Sequence, residues 1–316
     1  MVKKYDVIVV GAGAAGLTSA LYASRANLSV LLLERGIYGG QMNNTAEIEN
    51  YPGFKSVMGS DLSQKMYDSC TRFGVNYQFG EVKGIDYSST KKVVHTDSGD
   101  YSAKAIIIAT GSYNRHLNVP GEKKYAGKGV SYCAVCDGGF FKGQDLAVVG
   151  GGDSAIEEGI YLTQLAKSVT IIVRRDQLRA QKIYQQQAFD NPKIKFMWHS
   201  NVTSINGDKN GVNNLDILNN QNGKISKLNV AGIFIYVGID PLTKPFNNLG
   251  ITDDKGWIKT DENMQTKLEG IYAAGDVKQK SLRQISTAVG DGGISGQEVY
   301  QYVSRLNSKI KEKAKA

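Results

Sequence analysis

A strand–glycine turn–helix unit that recurs after 139 residues, with later apolar runs that each close on a glycine, predicts an α/β fold. The expected architecture is two Rossmann-like three-layer dinucleotide-binding domains, the second inserted in the first. Tyr5-Asp6-Val7-Ile8-Val9-Val10-Gly11-Ala12-Gly13-Ala14-Ala15-Gly16 recurs as Gln144-Asp145-Leu146-Ala147-Val148-Val149-Gly150-Gly151-Gly152-Asp153-Ser154-Ala155. No gap is needed to carry the alignment onward, so that residues 30–33 fall on residues 169–172.

Each position in the repeat has a physical role. Gly11 and Gly150 allow a tight turn, Gly13 and Gly152 let the backbone approach a pyrophosphate, and Gly16 or Ala155 lets the helix pack near the strand. The helix start then turns unpaired N–H groups and a partial positive charge toward the phosphates. The end of the second strand separates the two ligands. In the first copy it is Glu34, a carboxylate suited to ribose hydroxyls, which fits FAD. In the second it is Val173, followed by Arg174, Arg175 and Arg179, whose guanidinium forks suit a phosphate and fit NADPH. The runs at 105–109 and 232–237 each close one domain, the first at Thr110-Gly111 and the second at Gly238. A further short strand at 270–274 ends in Gly275-Asp276. The expected division is an FAD-binding domain from 1–112 and 245–316 around an NADPH-binding insert at 113–244. Linkers at 112–119 and 240–245 are natural hinges.

The chemistry lies in Cys133-Ala134-Val135-Cys136, just before the second glycine motif. Two intervening residues let one helical turn bring both sulfurs within bonding reach, and such pairs depress one thiol's pKa. A thiolate is the nucleophile of disulfide exchange, and its neighbour resolves the mixed disulfide. Asp137 follows directly and can manage protons as thiols and thiolates interconvert. The third cysteine, Cys70, is expected to be a buried or half-buried thiol on a helix over 61–73. With three cysteines, and with His95, His116 and His199 far from the pair in sequence, no metal is expected.

Composition narrows the class. Hydrophobic residues at 41 % and charged ones at 22 % suit a soluble globular chain. No apolar run approaches the roughly 20 residues that span a bilayer. Lys3-Lys4 and the apolar stretch after them run straight into Gly11, as a first strand and not a signal peptide. A cytoplasmic protein without a membrane partner is expected. The net charge of +8 can steer an acidic partner protein, and part of it sits in a solvated-looking tail at 309–315. No basic stripe with interleaved aromatics points to nucleic acid.

Taken together, the sequence resembles the low-molecular-weight thioredoxin reductases over nearly its whole length. The residues that carry the resemblance are Gly11 to Gly16, Gly39-Gly40-Gln41, Glu47-Ile48-Glu49-Asn50-Tyr51-Pro52-Gly53, Cys133 to Gly138, Gly150 to Ala155, Arg174-Arg175 with Arg179-Ala180, and Ala274-Gly275-Asp276 with Leu282-Arg283-Gln284. The resemblance implies an NADPH-dependent, FAD-containing reductase of the thioredoxin disulfide, working as a homodimer. It assigns to FAD Gly11, Gly13, Ala14, Ala15, Gly16, Glu34, Arg35, Gly40, Gln41, Asn50, Thr110, Gly111, Asp276, Arg283, Gln284 and Ile285. It assigns to NADPH Gly150, Gly152, Asp153, Ser154, Ala155, Arg174, Arg175 and Arg179. It further implies that Cys136 faces the flavin, that Cys133 attacks thioredoxin, that Asp137 donates a proton, and that the insert rotates between half-reactions. One position departs from the family pattern: its phosphate clamp usually begins with His, and here Val173 stands there. NADPH is still the expected donor. Three alternatives remain open: a ferredoxin-dependent branch, which lacks the pyridine-nucleotide motifs; a flavin dithiol oxidoreductase acting on another small dithiol or carrier; and a flavin-binding redox sensor without turnover.

Overall fold

The computed structural model describes residues 2–45, 47–89 and 91–313. The chain divides into two compact units, Met1–Tyr113 with Pro241–Ala316, and Asn114–Asp240.

The larger unit is built on a seven-stranded sheet. Lys3–Val10 runs parallel between Val30–Glu34 and Gly99–Ile108, and Asn76–Phe79 extends one edge. The far flank of Gly99–Ile108 is shared. Its first half pairs antiparallel with Lys92–Thr96, which pairs in turn with Val82–Tyr87. Its last residues pair parallel with Ile271–Ala273. Because side chains alternate along a strand, each strand feeds two cores. Val7, Val9 and Ile107 pack under the helices Ala14–Arg25 and Ile285–Lys313. Ile8, Val10, Ile106 and Ile108 face the other way, onto Phe246, Leu249 and Ile258. The two helices are joined by a buried hydrogen bond between the Ser19 and Ser295 hydroxyls at 2.9 Å.

Two helix boundaries differ from the sequence reading. The helix expected over 61–73 is Gly59–Thr71. Asp61 falls inside its first turn, where a carboxylate suits the positive end of the helix, and the chain closes at Gly74 with φ 81°. The tail from residue 309 is solvated as expected, with Lys309, Ile310 and Glu312 exposed, but it is helical as far as Lys313; residues 314–315 lie outside the described residues. Tyr302 and Val303 are buried in the core and Leu306 packs against it, so the helix is docked through its later turns.

The smaller unit carries five parallel strands in the order Val130–Ser131, Gly232–Ile235, Asp145–Val149, Ser168–Ile172, Ile194–Met197. Leu146, Val148 and Phe234 pack against the helices Asp153–Leu162 and Lys182–Phe189. Ala147, Val149, Ile233 and Ile235 pack instead on a three-stranded antiparallel meander, Ser200–Asp208, Gly211–Asn219 and Ile225–Asn229. The third layer of this unit is therefore a sheet. Among the described residues no helix is long and apolar enough to cross a membrane.

The tightest point of the larger unit is Gly16, where an added methyl would stand 1.8 Å from the Gly11 carbonyl oxygen. At Gly13 an added methyl would meet nothing within 4 Å. Gly16→Ala should lower the thermal midpoint by about 5 °C, the equivalent of about 1–3 kcal/mol of overpacking. Gly13→Ala should move it by no more than about 2 °C. Equal midpoints for the two variants in a calorimetric scan would contradict the packing described.

Candidate active site

The cysteine pair is reached along the short strand Val130–Ser131. Cys133 and Cys136 form a disulfide, with their Cα atoms 5.3 Å apart. Cys133 is the N-cap residue of a single helical turn, Ala134–Asp137, and Cys136 lies within that turn. The Cys136 N–H donates to Cys133 Sγ at 3.2 Å, and the Asp137 N–H donates to the Cys133 carbonyl at 3.1 Å. Ser131 ties the turn to its strand. Its hydroxyl accepts the Cys133 N–H at 3.1 Å and donates to Asp137 Oδ2 at 2.6 Å. Burial raises the Asp137 carboxyl above its ordinary pKa, against the opposing pull of the Ser131 hydrogen bond. The turn therefore holds a redox bridge beside an acid that keeps its proton more readily than a surface aspartate. Val135 and Phe140 leave apolar surface exposed around it. The remaining cysteine, Cys70, is fully buried, and burial pushes its thiol up to about 12, which makes it unreactive.

The second glycine loop lies in the same unit. Gly150 takes φ 147°, and Gly152 caps the helix Asp153–Leu162, with open space where its Cβ would stand. The segment carrying the arginines folds back on this loop. The amides of Arg179 and Ala180 both donate to the Gly151 carbonyl, at 2.7 and 3.1 Å, and Asp153 Oδ1 accepts the Gln181 N–H at 2.7 Å. Val173 points into the core, while Arg174, Arg175 and Arg179 are exposed. Ser154 is exposed at the helix start, and Ala155 is buried under it.

The first loop is in the larger unit. Glu34 is already engaged: Oε2 accepts the Ala12 N–H at 2.8 Å and Oε1 the Gly36 N–H at 2.9 Å, with Arg35 exposed between. Gly13 caps the helix begun by Ala14 and Ala15. Gly39 donates to the Ala12 carbonyl at 2.8 Å, and Gly40 stands against Gly13, so a second loop covers the first. Gln41 Nε2 donates to the Ser112 carbonyl at 3.2 Å. Thr110 and Gly111 are bonded to Leu242, the hydroxyl donating to its carbonyl at 2.7 Å and the Gly111 carbonyl accepting its N–H at 3.0 Å. Asn50 donates to Gln284 Oε1 at 3.1 Å, directly before the long helix that starts at Ile285. Asp276 is half-buried, and its Oδ1 atom is buried with no hydrogen-bond partner among the described residues. Burial raises its pKa, opposed by Lys280 and Arg283. Arg283 stacks on Trp257 with 3.8 Å between guanidinium carbon and ring centre, and it reaches the carbonyls of Asp276, Lys278 and Lys280.

Sequence reasoning missed two sets of residues. Asp291 accepts the Gly275 N–H at 3.0 Å and the Lys280 ammonium at 2.6 Å, which fixes the turn that carries Asp276. The Tyr236 hydroxyl accepts the Ala134 N–H beside Cys133, the charge of Glu158 acts on Tyr236, and burial with the charge of Glu157 raises the Glu158 carboxyl. Neither set belongs to a motif. The Tyr236–Ala134 contact joins residues 102 positions apart, and Asp291 reaches back from the long helix to the turn before it.

Residues 5–292 match the pyridine nucleotide-disulphide oxidoreductase family, and the chain belongs to it. Within that family several of its full-length relatives are named thioredoxin reductase. It is 53 % identical over 309 residues to a thioredoxin reductase of Bacillus subtilis (strain 168), covering 98 % of each chain. It is 55 % identical over 312 residues to a thioredoxin reductase of Listeria monocytogenes serovar 1/2a, covering 99 % of this chain and 98 % of the relative. The crystal structure of thioredoxin reductase from Streptococcus pyogenes MGAS5005 is 53 % identical, covers 96 % of this chain and is itself covered in full (100 %), with a TM-score of 0.94.

The raised Asp137 carboxyl carries a pH signature. An acid whose folded pKa exceeds its unfolded one contributes most to stability below the ordinary carboxylate range. That contribution is lost as pH rises from there through the raised value. Oxidised wild-type protein should therefore lose more stability between about pH 4 and pH 7 than Asp137→Asn does, read as urea midpoints. Parallel curves for the two proteins would contradict the burial assigned to this acid.

Proposed function

We propose that the chain is a thioredoxin-disulfide reductase that draws electrons from NADPH and holds FAD. The observation that carries this is the Cys133–Cys136 bridge, set beside a second dinucleotide loop in a chain more than half identical to thioredoxin reductases along its whole length. The unit Met1–Tyr113 with Pro241–Ala316 is assigned to FAD and the unit Asn114–Asp240 to NADPH.

The residues fit these groups. Open space at Gly13 leaves room for a pyrophosphate at the helix start. Glu34 is fixed by two amides and would hold a ribose through its carboxylate, and Asp276, whose buried Oδ1 has no partner among the described residues, would accept from a donor such as a ribityl hydroxyl. In the smaller unit, Gly152 leaves the same room, and exposed Arg174, Arg175 and Arg179 can close on a 2′-phosphate although Val173 is withdrawn into the core. FAD, when bound, supplies a two-electron relay between nicotinamide and disulfide.

What the chain's own residues do follows from their geometry. As two electrons and one proton reach the bridge, the Cys133–Cys136 bond breaks, Asp137 gives that proton to Cys136, and Cys133 is left as a thiolate. The Cys136 amide steadies a thiolate at Cys133, which suits Cys133 to attack the disulfide of thioredoxin. Cys136 then gives up its proton to Asp137 and attacks the Cys133 sulfur of the mixed disulfide, which breaks the bond to the partner and re-forms the bridge; the partner leaves as a dithiol after taking two protons from solvent. The bridge and the NADPH loop ride on one unit, so serving a single flavin in turn requires that unit to move as a body. The protein works as a homodimer in this reading, and the exposed Tyr22 and Ile294 of the larger unit support an apolar contact between copies.

An anaerobic NADPH titration tests the assignment. Wild type and Cys136→Ser should both bleach the flavin, while only wild type reduces added thioredoxin. Bleaching in neither would overturn the reading. In steady state, Arg175→Ala should raise KM for NADPH about tenfold and leave that for NADH within about twofold. An equal rise for both nucleotides would remove the phosphate contact.

A further inference from the structure

Tyr236 meets both working parts of the smaller unit. It follows the strand Gly232–Ile235, and its carbonyl oxygen lies against Gly150, 2.5 Å from where a Cβ would stand. Its side chain reaches the other way: the hydroxyl accepts the Ala134 N–H at 2.7 Å. Ala134 is fully buried and is the first residue of the turn that carries Cys136. The opening amides of a helical turn have no partner within it, so this buried N–H depends on an outside acceptor. Ser131 holds the same turn from its strand side, through the Cys133 N–H and Asp137. The turn is thus pinned at two points, and the Cys136 N–H between them is aimed at Cys133 Sγ.

The titratable groups that face the turn are Asp137 on the turn itself, Tyr236 after the strand, and Glu158 and Tyr161 on the helix Asp153–Leu162. Burial, then the charge of Glu158, raises the Tyr236 phenol far above its ordinary range, so it stays protonated and neutral. Glu158 Oε2 is itself buried with no hydrogen-bond partner among the described residues. The acceptor for Ala134 is therefore constant while the cysteines change state.

We propose that Tyr236 is a positioning residue for the Cys133 thiolate: by anchoring Ala134 it keeps the Cys136 amide directed at the Cys133 sulfur. The inference rests on the dithiol reading above, but it concerns the reduced pair alone. A hydrogen bond that favours a thiolate lowers the thiol pKa, and loosening it raises that pKa.

The test is the rate of Cys133 alkylation by iodoacetamide across pH, in protein reduced with dithiothreitol, read by peptide mass. In Tyr236→Phe the pH of half-maximal reactivity should rise by about 0.5–1 unit, a roughly three- to tenfold loss of rate near neutral pH. A folded Tyr236→Phe with the wild-type profile would overturn the proposal. Hydrogen exchange on the wild-type protein gives a reading that needs no variant. The Ala134 amide should exchange much more slowly than that of its exposed neighbour Val135, and equal rates would remove the anchor. Neither measurement uses FAD, NADPH or thioredoxin, so failure here is separate from failure of the functional reading.

Discussion

The structure depends on a backbone contact made once in each unit, in which the end of a neighbouring parallel strand presses on the first glycine of a turn. At Gly11 the Ala109 carbonyl oxygen lies 2.4 Å from where a Cβ would be, and at Gly150 the Tyr236 carbonyl oxygen lies at 2.5 Å. Both glycines have positive φ, so a side chain is excluded by space and by conformation alike. The contact brings the helix start level with the carboxyl ends of the strands, where open α/β sheets bind their ligands. Everything polar at either site is arranged around that edge: Glu34 and Asp276 in one unit, Asp153 and the arginine segment in the other.

The two units use the same edge differently. In the larger one, the open edge is closed over by further chain: Gly39 on Ala12, Thr110 and Gly111 on Leu242, Arg283 on three carbonyls. Such a cradle suits a group that stays. In the smaller one the arginines remain exposed, which suits a nucleotide that comes and goes. Burial raises the pKa of three carboxyls, Asp137 and Glu158 in the smaller unit and Asp276 in the larger. Perturbed acids concentrate at functional sites because binding or catalysis gives the buried charge a use.

Much of this was legible in the sequence. The repeat announces itself because the glycine turn tolerates few residues, and the strands because a buried parallel sheet demands continuous apolar runs such as 106–108. The cysteine spacing announces a single turn. What stayed hidden depends on contacts without a local pattern. The meander from Ser200 to Asn229 is rich in Asn and Ser and buries only alternate residues, among them Val202, Ile205, Leu215 and Ile217, so it does not read as a core layer. The last helix runs on to Lys313 because Tyr302, Val303 and Leu306 dock it, while its charged end alone looks like loose surface. Asp291 and Tyr236 are ordinary residues in sequence, and their roles come from the neighbours that folding supplies.

The central claim is that electrons from a pyridine nucleotide reach the Cys133–Cys136 bridge only when flavin is bound. The direct measurement is the redox state of the two sulfurs after one equivalent of NADPH under anaerobic conditions, trapped by alkylation and read by peptide mass. Flavin-loaded protein should carry the label on both Cys133 and Cys136, and flavin-stripped protein on neither. Labelling that is the same with and without flavin, or absent from both, would contradict the account.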